Sequence, residues 1–447
     1  MGAYEIGLFV IALAILGTAV LPRLLEHRPL SFPIVYVTLG FLLFSLVPGA
    51  PALNPIENSY VTERLTELVV IVSLMGAGLK LDRPFALRTW TATWRLLVIA
   101  LPVTATLVAV LAWGFLGLLP ATAILLGAVV APTDPVLASG VDAGAPLTEL
   151  EEEADPEYRW GTVRFAITSE AGFNDGLAFP LTNLAIAVAG ATLAEGESWV
   201  VEWFAVDVGY KIVTGIVLGY LIGQATARFH FRLPVPESLA DMMGSGDVLG
   251  RADVMAGVEV LAITLIAYSV TEQVSGYGFI AVFVASLTLR HVEWEHDYYV
   301  ELHDFAVVVE RLLMAAVLVL LGGAIAGGLL APLTWREALL GMTLLAVIRP
   351  LAGIASFIGS DAPWPERALI GFFGIRGIGS LYYLSHALAE ASFQEIELVI
   401  AAEELWAFVG FVVVLSIVVH GISASPIMDA YDRRLRRSTT NVHSGER

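Results

Sequence analysis

The chain has no cysteine and only two lysines, Lys80 and Lys211, among its 447 residues. Without thiols it can form neither disulfides nor thiolate metal centres. Charge of either sign is scarce. Asp, Glu, Lys and Arg together make 15% of the residues, with 24 bases against 43 acids for a net charge of −19. That balance offers no basic face to nucleic acid. An acid-rich, lysine-poor composition suits very salty surroundings, where charges are screened within a few ångströms. Residues 1–6 include Glu5 and no basic cluster, so the first apolar run reads as a retained helix rather than a cleaved leader. A His-Glu-x-x-His zinc helix is missing, as is a Gly-x-Gly-Asp context around Asp134 or Asp175. Two kinds of intramembrane hydrolase are thereby set aside.

What the chain does have is long apolar runs. Hydrophobic residues make up 57% of it and the mean hydropathy is +0.77, in blocks rather than periodic stripes. That is the composition of an all-α, multi-pass membrane protein. Breakers divide it into thirteen candidate spans near 4–21, 31–47, 62–79, 94–118, 120–141, 162–193, 199–227, 254–273, 275–290, 303–329, 335–358, 366–389 and 399–424. An odd number puts the termini on opposite faces. Arg23, Arg28, Lys80, Arg83, Arg88, Arg95, Arg228, Arg232, Arg251, Arg290 and Arg433 to Arg437 share one face if the amino terminus is outside and the carboxyl terminus cytoplasmic. Acids such as Glu57, Glu195, Glu202 and Glu397 fall on the other. The acidic run 148–157 (TELEEEADPE) departs from this pattern on the cytoplasmic side and reads as a solvated linker.

Charges inside the spans carry the functional information. A carboxylate at mid-membrane costs about 2.5–3.5 kcal/mol on insertion scales, so it persists where it is paired, wet or used. Residues 168–180 place Glu170, Asn174 and Asp175 in an otherwise unbroken apolar helix. Glu170 and Asn174 share a face, and Asp175 is turned about 100° away. In span 5, Pro132 and Pro135 bracket Thr133 and Asp134 and should unwind the helix at 131–136. Unwound backbone at membrane depth must line a cavity or be buried in protein. The oxygens of Thr133 and Asp134 are hard ligands suited to a small alkali cation. Span 12 carries a second break at 371–380, with four glycines and Arg376. Half-helices meeting at such breaks point like ends inward, and Asp134 and Arg376 are the opposite-sign candidates to compensate those partial charges. Arg349, in span 11, needs a carboxylate of its own. Pairing it with Glu170 leaves Asp175 as the carboxylate free to exchange a proton for a cation. Glu310 and Arg311 read as interfacial and solvated, and Lys211, long enough to snorkel, is given no role.

The two breaks lie seven spans apart, each in the middle of a triplet, and an odd separation reverses orientation. That is the pattern of an inverted repeat with discontinuous helices at its midplane site. The division expected is a first half, 1–227, with core spans at about 94–193, then a cytoplasmic linker, 228–253. A second half, 254–424, with core spans at about 335–424, precedes a short tail, 425–447.

Pro132-Thr-Asp-Pro135, Ser169-Glu170 followed by Asn174-Asp175, and Gly374-Ile-Arg-Gly377 together resemble the cation/proton antiporter superfamily. They are most similar to its first branch, the NhaP- and NHE-type sodium/proton exchangers, over roughly 5–424. The resemblance implies an antiporter fold with two crossed discontinuous helices. It also implies that Asp175 exchanges cation and proton, with Thr133, Asp134 and Ser169 around the ion. Asn174 would stabilise the unwound span, Glu170 and Arg349 would be a structural pair, and Arg376 would compensate the crossed helices. A homodimer in the cell membrane is implied as well, serving pH homeostasis with no cofactor beyond the transported ions. The expected activity is exchange of sodium or lithium for protons, one for one, by alternating access. A potassium/proton antiporter is the alternative, and a cation channel a more distant one.

Overall fold

The computed structural model describes residues 3–25, 30–46, 54–81, 83, 85–137, 162–193, 199–232, 248–292, 298–389 and 402–444, and every regular element among them is a helix. In chain order these are α1 (Ala3–Leu25), α2 (Phe32–Leu46), α3 (Ser59–Leu79), α4 (Thr91–Leu116), α5 (Pro120–Val130), α6 (Thr162–Leu193) and α7 (Trp199 to Arg232). They continue with α8 (Val248–Gln273), α9 (Gly278–Val292), α10 (Tyr298–Ala326), α11 (Trp335–Ser356), α12 (Trp364–Phe372), α13 (Ile378–Ala389) and α14 (Ala402–Ser444). Among the described residues, α4, α7, α10, α11 and α14 are each long and apolar enough to cross a membrane.

Local chemistry sets the helix ends. Extended Leu119 leads into α5, whose first residue is Pro120, where a missing N–H is harmless. Thr334 and Glu337 cap α11 reciprocally. α4 and α11 share an irregularity. A π-turn at Leu96–Ala100 precedes Pro102, and one at Leu344–Ile348 precedes Pro350. In both, the residues run Leu-Leu-x-x-x-x-Pro. Proline withholds a donor from the turn before it, and a local change of helical pitch accommodates the loss.

Small residues bring the helices together. α2 meets α10 backbone to backbone, where a Cβ on Gly40 would overlap the Val319 carbonyl. Gly215, Gly219 and Gly223 do the same for α7 against α9, and Gly172 and Gly176 seat α6 on Phe283 and Ile280 of α9.

The structure departs from the expected boundaries in several places. Span 120–141 is helical only to Val130, and Ala131 to Leu137 is buried but non-helical. Span 366–389 is two helices, α12 and α13, parted by non-helical 373–377. α7 runs on to Arg232 and α8 begins at Val248, so the ends of the expected linker are helical, and 233–247 lies outside the described residues. The tail is no separate piece, because α14 continues through Pro426 to Ser444. Its Asp432 pairs with Arg164 of α6 at 2.9 Å. The acidic run 148–157 lies outside the described residues.

Candidate functional site

The two non-helical segments meet. The Asp134 amide donates to the Ile375 carbonyl at 2.9 Å, joining the segment after α5 to the break between α12 and α13. Asp134 Oδ1 accepts from the Leu137 amide and Oδ2 from the Gly379 amide, each at 3.0 Å. Gly379 stands in the first turn of α13, where amides have no partner within the helix and an anion is favoured. Arg376, fully buried, donates through Nε to the Val130 carbonyl at 2.7 Å and through Nη2 to the Ala131 carbonyl at 3.2 Å, with Nη1 on the Gly374 carbonyl. Val130 and Ala131 end α5, where orphan carbonyls favour a cation.

Asp134 and Arg376 therefore do not pair directly. Each charged side chain answers the backbone end of the other broken span. The partial charges of a helix end lie on fixed atoms already at hand, so neither side chain needs the other.

Glu170 and Arg349 do meet. Both guanidinium Nη atoms reach the two carboxylate oxygens at 2.7 Å, with each side chain 1% exposed. This is the bidentate geometry that makes a buried pair strong. Asn174 Nδ2 donates to Thr133 Oγ1 at 2.7 Å and so ties α6 to the segment after α5. Ser169 is placed elsewhere: its hydroxyl is 2.6 Å from that of Thr93 on α4 and donates to the Phe165 carbonyl at 2.7 Å.

Asp175 differs from the other carboxylates here. It is buried, yet neither carboxylate oxygen has a hydrogen-bond partner, and the same holds for Asn174 Oδ1. Tyr383 donates to the Asp175 backbone carbonyl at 2.9 Å, and a Cβ on Gly379 would stand 3.2 Å from Asp175 Oδ1. Gly379 thus touches both aspartates. The unused oxygens of Asp175 and Asn174 are hard donors, of the kind that hold a proton or a small cation. A bare buried anion without donors is costly, so one of the two must accompany it.

The model of the transmembrane sodium/hydrogen exchanger family matches residues 10–430. The chain belongs to that family. Na(+)/H(+) antiporter 2 of Zygosaccharomyces rouxii is 23% identical over 421 residues, covering 86% of this chain and 48% of that protein. The Na(+)/H(+) antiporter of Saccharomyces cerevisiae is 24% identical over 424 residues, covering 86% and 40%. The K(+)/H(+) antiporter NhaP of Alkalimonas amylolytica is 25% identical over 398 residues, covering 88% and 62%. The chain spans about half the length of the first two relatives. Two structures of the sodium proton antiporter MjNhaP1 from Methanocaldococcus jannaschii share the fold. One, at pH 8, has TM-score 0.67 and 16% identity, covering 95% of this chain and 98% of that one. The other has TM-score 0.69 and 18% identity, covering 95% and 97%. This exchanger-family chain is accordingly a multi-pass membrane protein of a transporter family, not an enzyme.

Around Asp175 the chain is asymmetric. On the side of residue 165, Trp90, Phe165, Phe173 and Phe283 interlock edge to face, with centroids 4.8–5.9 Å apart. On the other side a cavity of about 860 Å³ is lined by Glu63, Glu67, Asp207, Lys211, Glu272 and His386, among others. Phe179, one turn beyond Asp175, also lines it, and its ring packs on Tyr277 and Tyr383. Within the cavity Lys211 pairs with Asp207 at 2.7 Å, and His386 lies 3.2 Å from Glu63. Glu310, expected to be solvated, is buried near Gly76 of α3. Helix α10 packs on both α2 and α3.

Sequence reasoning missed the cavity carboxylates. Asp207 and Lys211, four apart in an apolar run, were the usable signal. Gly377 permits the contact between the broken spans, because a Cβ there would stand 2.5 Å from Asp134 Oδ2. Gly377→Ala should cost about 1–3 kcal/mol by overpacking and slow transport. Gly114→Ala, where a Cβ meets nothing within 4 Å, should change little. Thermal midpoints in one detergent, with vesicle transport rates, check the pair. Equal effects at the two positions would refute the close contact.

Proposed function

We propose that the chain exchanges sodium, or lithium, for protons, one for one and without net charge movement, by alternating access. The carrying observation is Asp175, buried with both oxygens unpartnered, while Glu170, Arg349, Asp134 and Arg376 are each answered by a counter-charge or a helix end. In this reading the proton on Asp175 and the incoming cation compete for one set of oxygens. Asp175, Asn174 and Thr133 supply them. Asp134 holds the backbone of the crossing, and Ser169 keeps α4 against α6 through Thr93. Glu170 and Arg349 are structural. Loaded with a proton or with a monovalent cation, the site carries the same net charge.

The broken spans then cross as discontinuous helices in a fold of about thirteen spans. The shared π-turn and proline of α4 and α11 support an inverted repeat with halves 1–227 and 254–424. We place the amino terminus outside, the carboxyl terminus in the cytoplasm and the chain as a homodimer in the cell membrane. Potassium is the second reading, favoured by the relative named a K(+)/H(+) antiporter at an identity close to that of the sodium-named ones.

Proteoliposomes test both. Sodium, lithium and potassium are each supplied against a pH gradient. With sodium, and once potassium is shown not to be carried, the potential is clamped with potassium and valinomycin. The expected result is a reversal point set by the sodium and pH gradients alone. A clamp of 100 mV would bias each net charge moved by about 2.3 kcal/mol, nearly fiftyfold. A reversal point that moves with the clamp would contradict one-for-one exchange.

A further inference from the structure

The break between α12 and α13 is tied to α14 by two side chains one turn apart, Ser416 and His420, both buried. The Arg376 backbone amide donates to Ser416 Oγ at 2.8 Å. Ser416 Oγ lies 3.1 Å from His420 Nδ1, and His420 Nε2 lies 3.1 Å from the Phe372 carbonyl oxygen. Counting protons orders the chain. A neutral imidazole has one N–H and one acceptor nitrogen. The Phe372 carbonyl can only accept, so the N–H belongs on Nε2. Nδ1 is then an acceptor and receives the Ser416 hydroxyl proton, while the hydroxyl oxygen takes the Arg376 amide. Placing the proton on Nδ1, toward the Ser416 carbonyl at 3.0 Å, would set a bare nitrogen against the Phe372 carbonyl.

We infer that Ser416 and His420 are positioning residues for the exchange proposed above, on which this inference rests. Their relay spans the break from Phe372 on one side to Arg376 on the other. Between those anchors sits Ile375, whose carbonyl receives the Asp134 amide, and just beyond them Gly379, whose amide receives the Asp134 carboxylate. Asp134 in turn fixes its neighbour Thr133, which is bonded to Asn174 beside Asp175. His420 acts on the cation site only through this backbone. Loosening the relay lets Thr133 drift from the site, which weakens cation binding more than it slows turnover.

The test measures sodium-dependent exchange by the full chain in proteoliposomes, separating half-saturating sodium from maximal rate. His420→Leu should raise half-saturating sodium about tenfold or more, the effect of losing one or two buried hydrogen bonds. The maximal rate should fall by a smaller factor. Ser416→Ala should move the same way. His420→Gln, which keeps a donor and an acceptor, should stay within about threefold of wild type. An unchanged half-saturation in Ser416→Ala, or a loss confined to maximal rate, would overturn the inference. So would a His420→Gln no better than His420→Leu. If His420→Leu fails to assemble, Ser416→Ala and His420→Gln decide between them. Failure of the underlying exchange reading is separately visible, since the wild-type chain would then show no sodium-dependent proton flux.

Discussion

Asp175→Asn should reduce cation/proton exchange to the leak of protein-free vesicles while the chain still folds. The substitution keeps size and shape but removes the group that can hold a proton or a cation's charge. Stability should change little, because the native carboxylate oxygens make no hydrogen bond that the amide would lose. The new amide N–H groups do need partners, and an unmet one costs about 1–3 kcal/mol, which bounds any loss. The measurement pairs a size-exclusion profile with sodium-driven proton flux. Wild-type flux from a monodisperse Asp175→Asn protein would end the assignment of Asp175.

The second large effect belongs to Glu170 and Arg349. Removing one partner of a buried pair leaves an uncompensated charge, at about 3–5 kcal/mol. The two single variants should not be equal. In Arg349→Gln the remaining carboxylate can take up a proton and become neutral. In Glu170→Gln the remaining guanidinium cannot release one, since arginine keeps its charge in proteins. It is also left near a second guanidinium, because Gly374 lies against the side chains of both Arg349 and Arg376. Glu170→Gln should therefore be the less stable, and the double variant should recover part of the loss. Thermal midpoints of all four proteins in one detergent make the cycle. Strict additivity, or the opposite ranking, would count against the direct pair.

The site was legible where a charge had to be answered by another side chain. Glu170 and Arg349 stand 179 residues apart, yet the cost of leaving either alone made them partners on paper. It was only partly legible where the answering group is backbone. Asp134 and Arg376 have opposite signs and lie in the two breaks, which marks them as compensators of helix ends without saying which atoms they meet. The first-turn amides of α13 and the final carbonyls of α5 carry no letter in a sequence, and they took those roles. The resemblance places Ser169 near the ion, and its bond to Thr93 depends on how α4 lies on α6. Ser416 and His420 went unnoticed for a similar reason. Their four-residue spacing marks one helix face, and only the fold shows that this face meets the break. Helix existence was plain from apolar length, whereas the end of α5 at Val130 followed from the proline pair only to within several residues.

The crosswise capping of the two broken spans also bears on how the chain is made. The Gly379 amide that receives Asp134 lies 245 residues further along the chain. At about 5–20 residues per second, the ribosome needs roughly 12–50 s to reach it. During that interval α5 is already synthesised, with the carbonyls of Val130 and Ala131 and the carboxylate of Asp134 lacking their eventual partners. An early half cannot close its own site, and must wait in the insertion machinery or against water until residues 372–379 arrive. A nascent chain stalled between the two breaks would present unsatisfied polar groups to lipid, the kind of defect that membrane quality control is suited to remove.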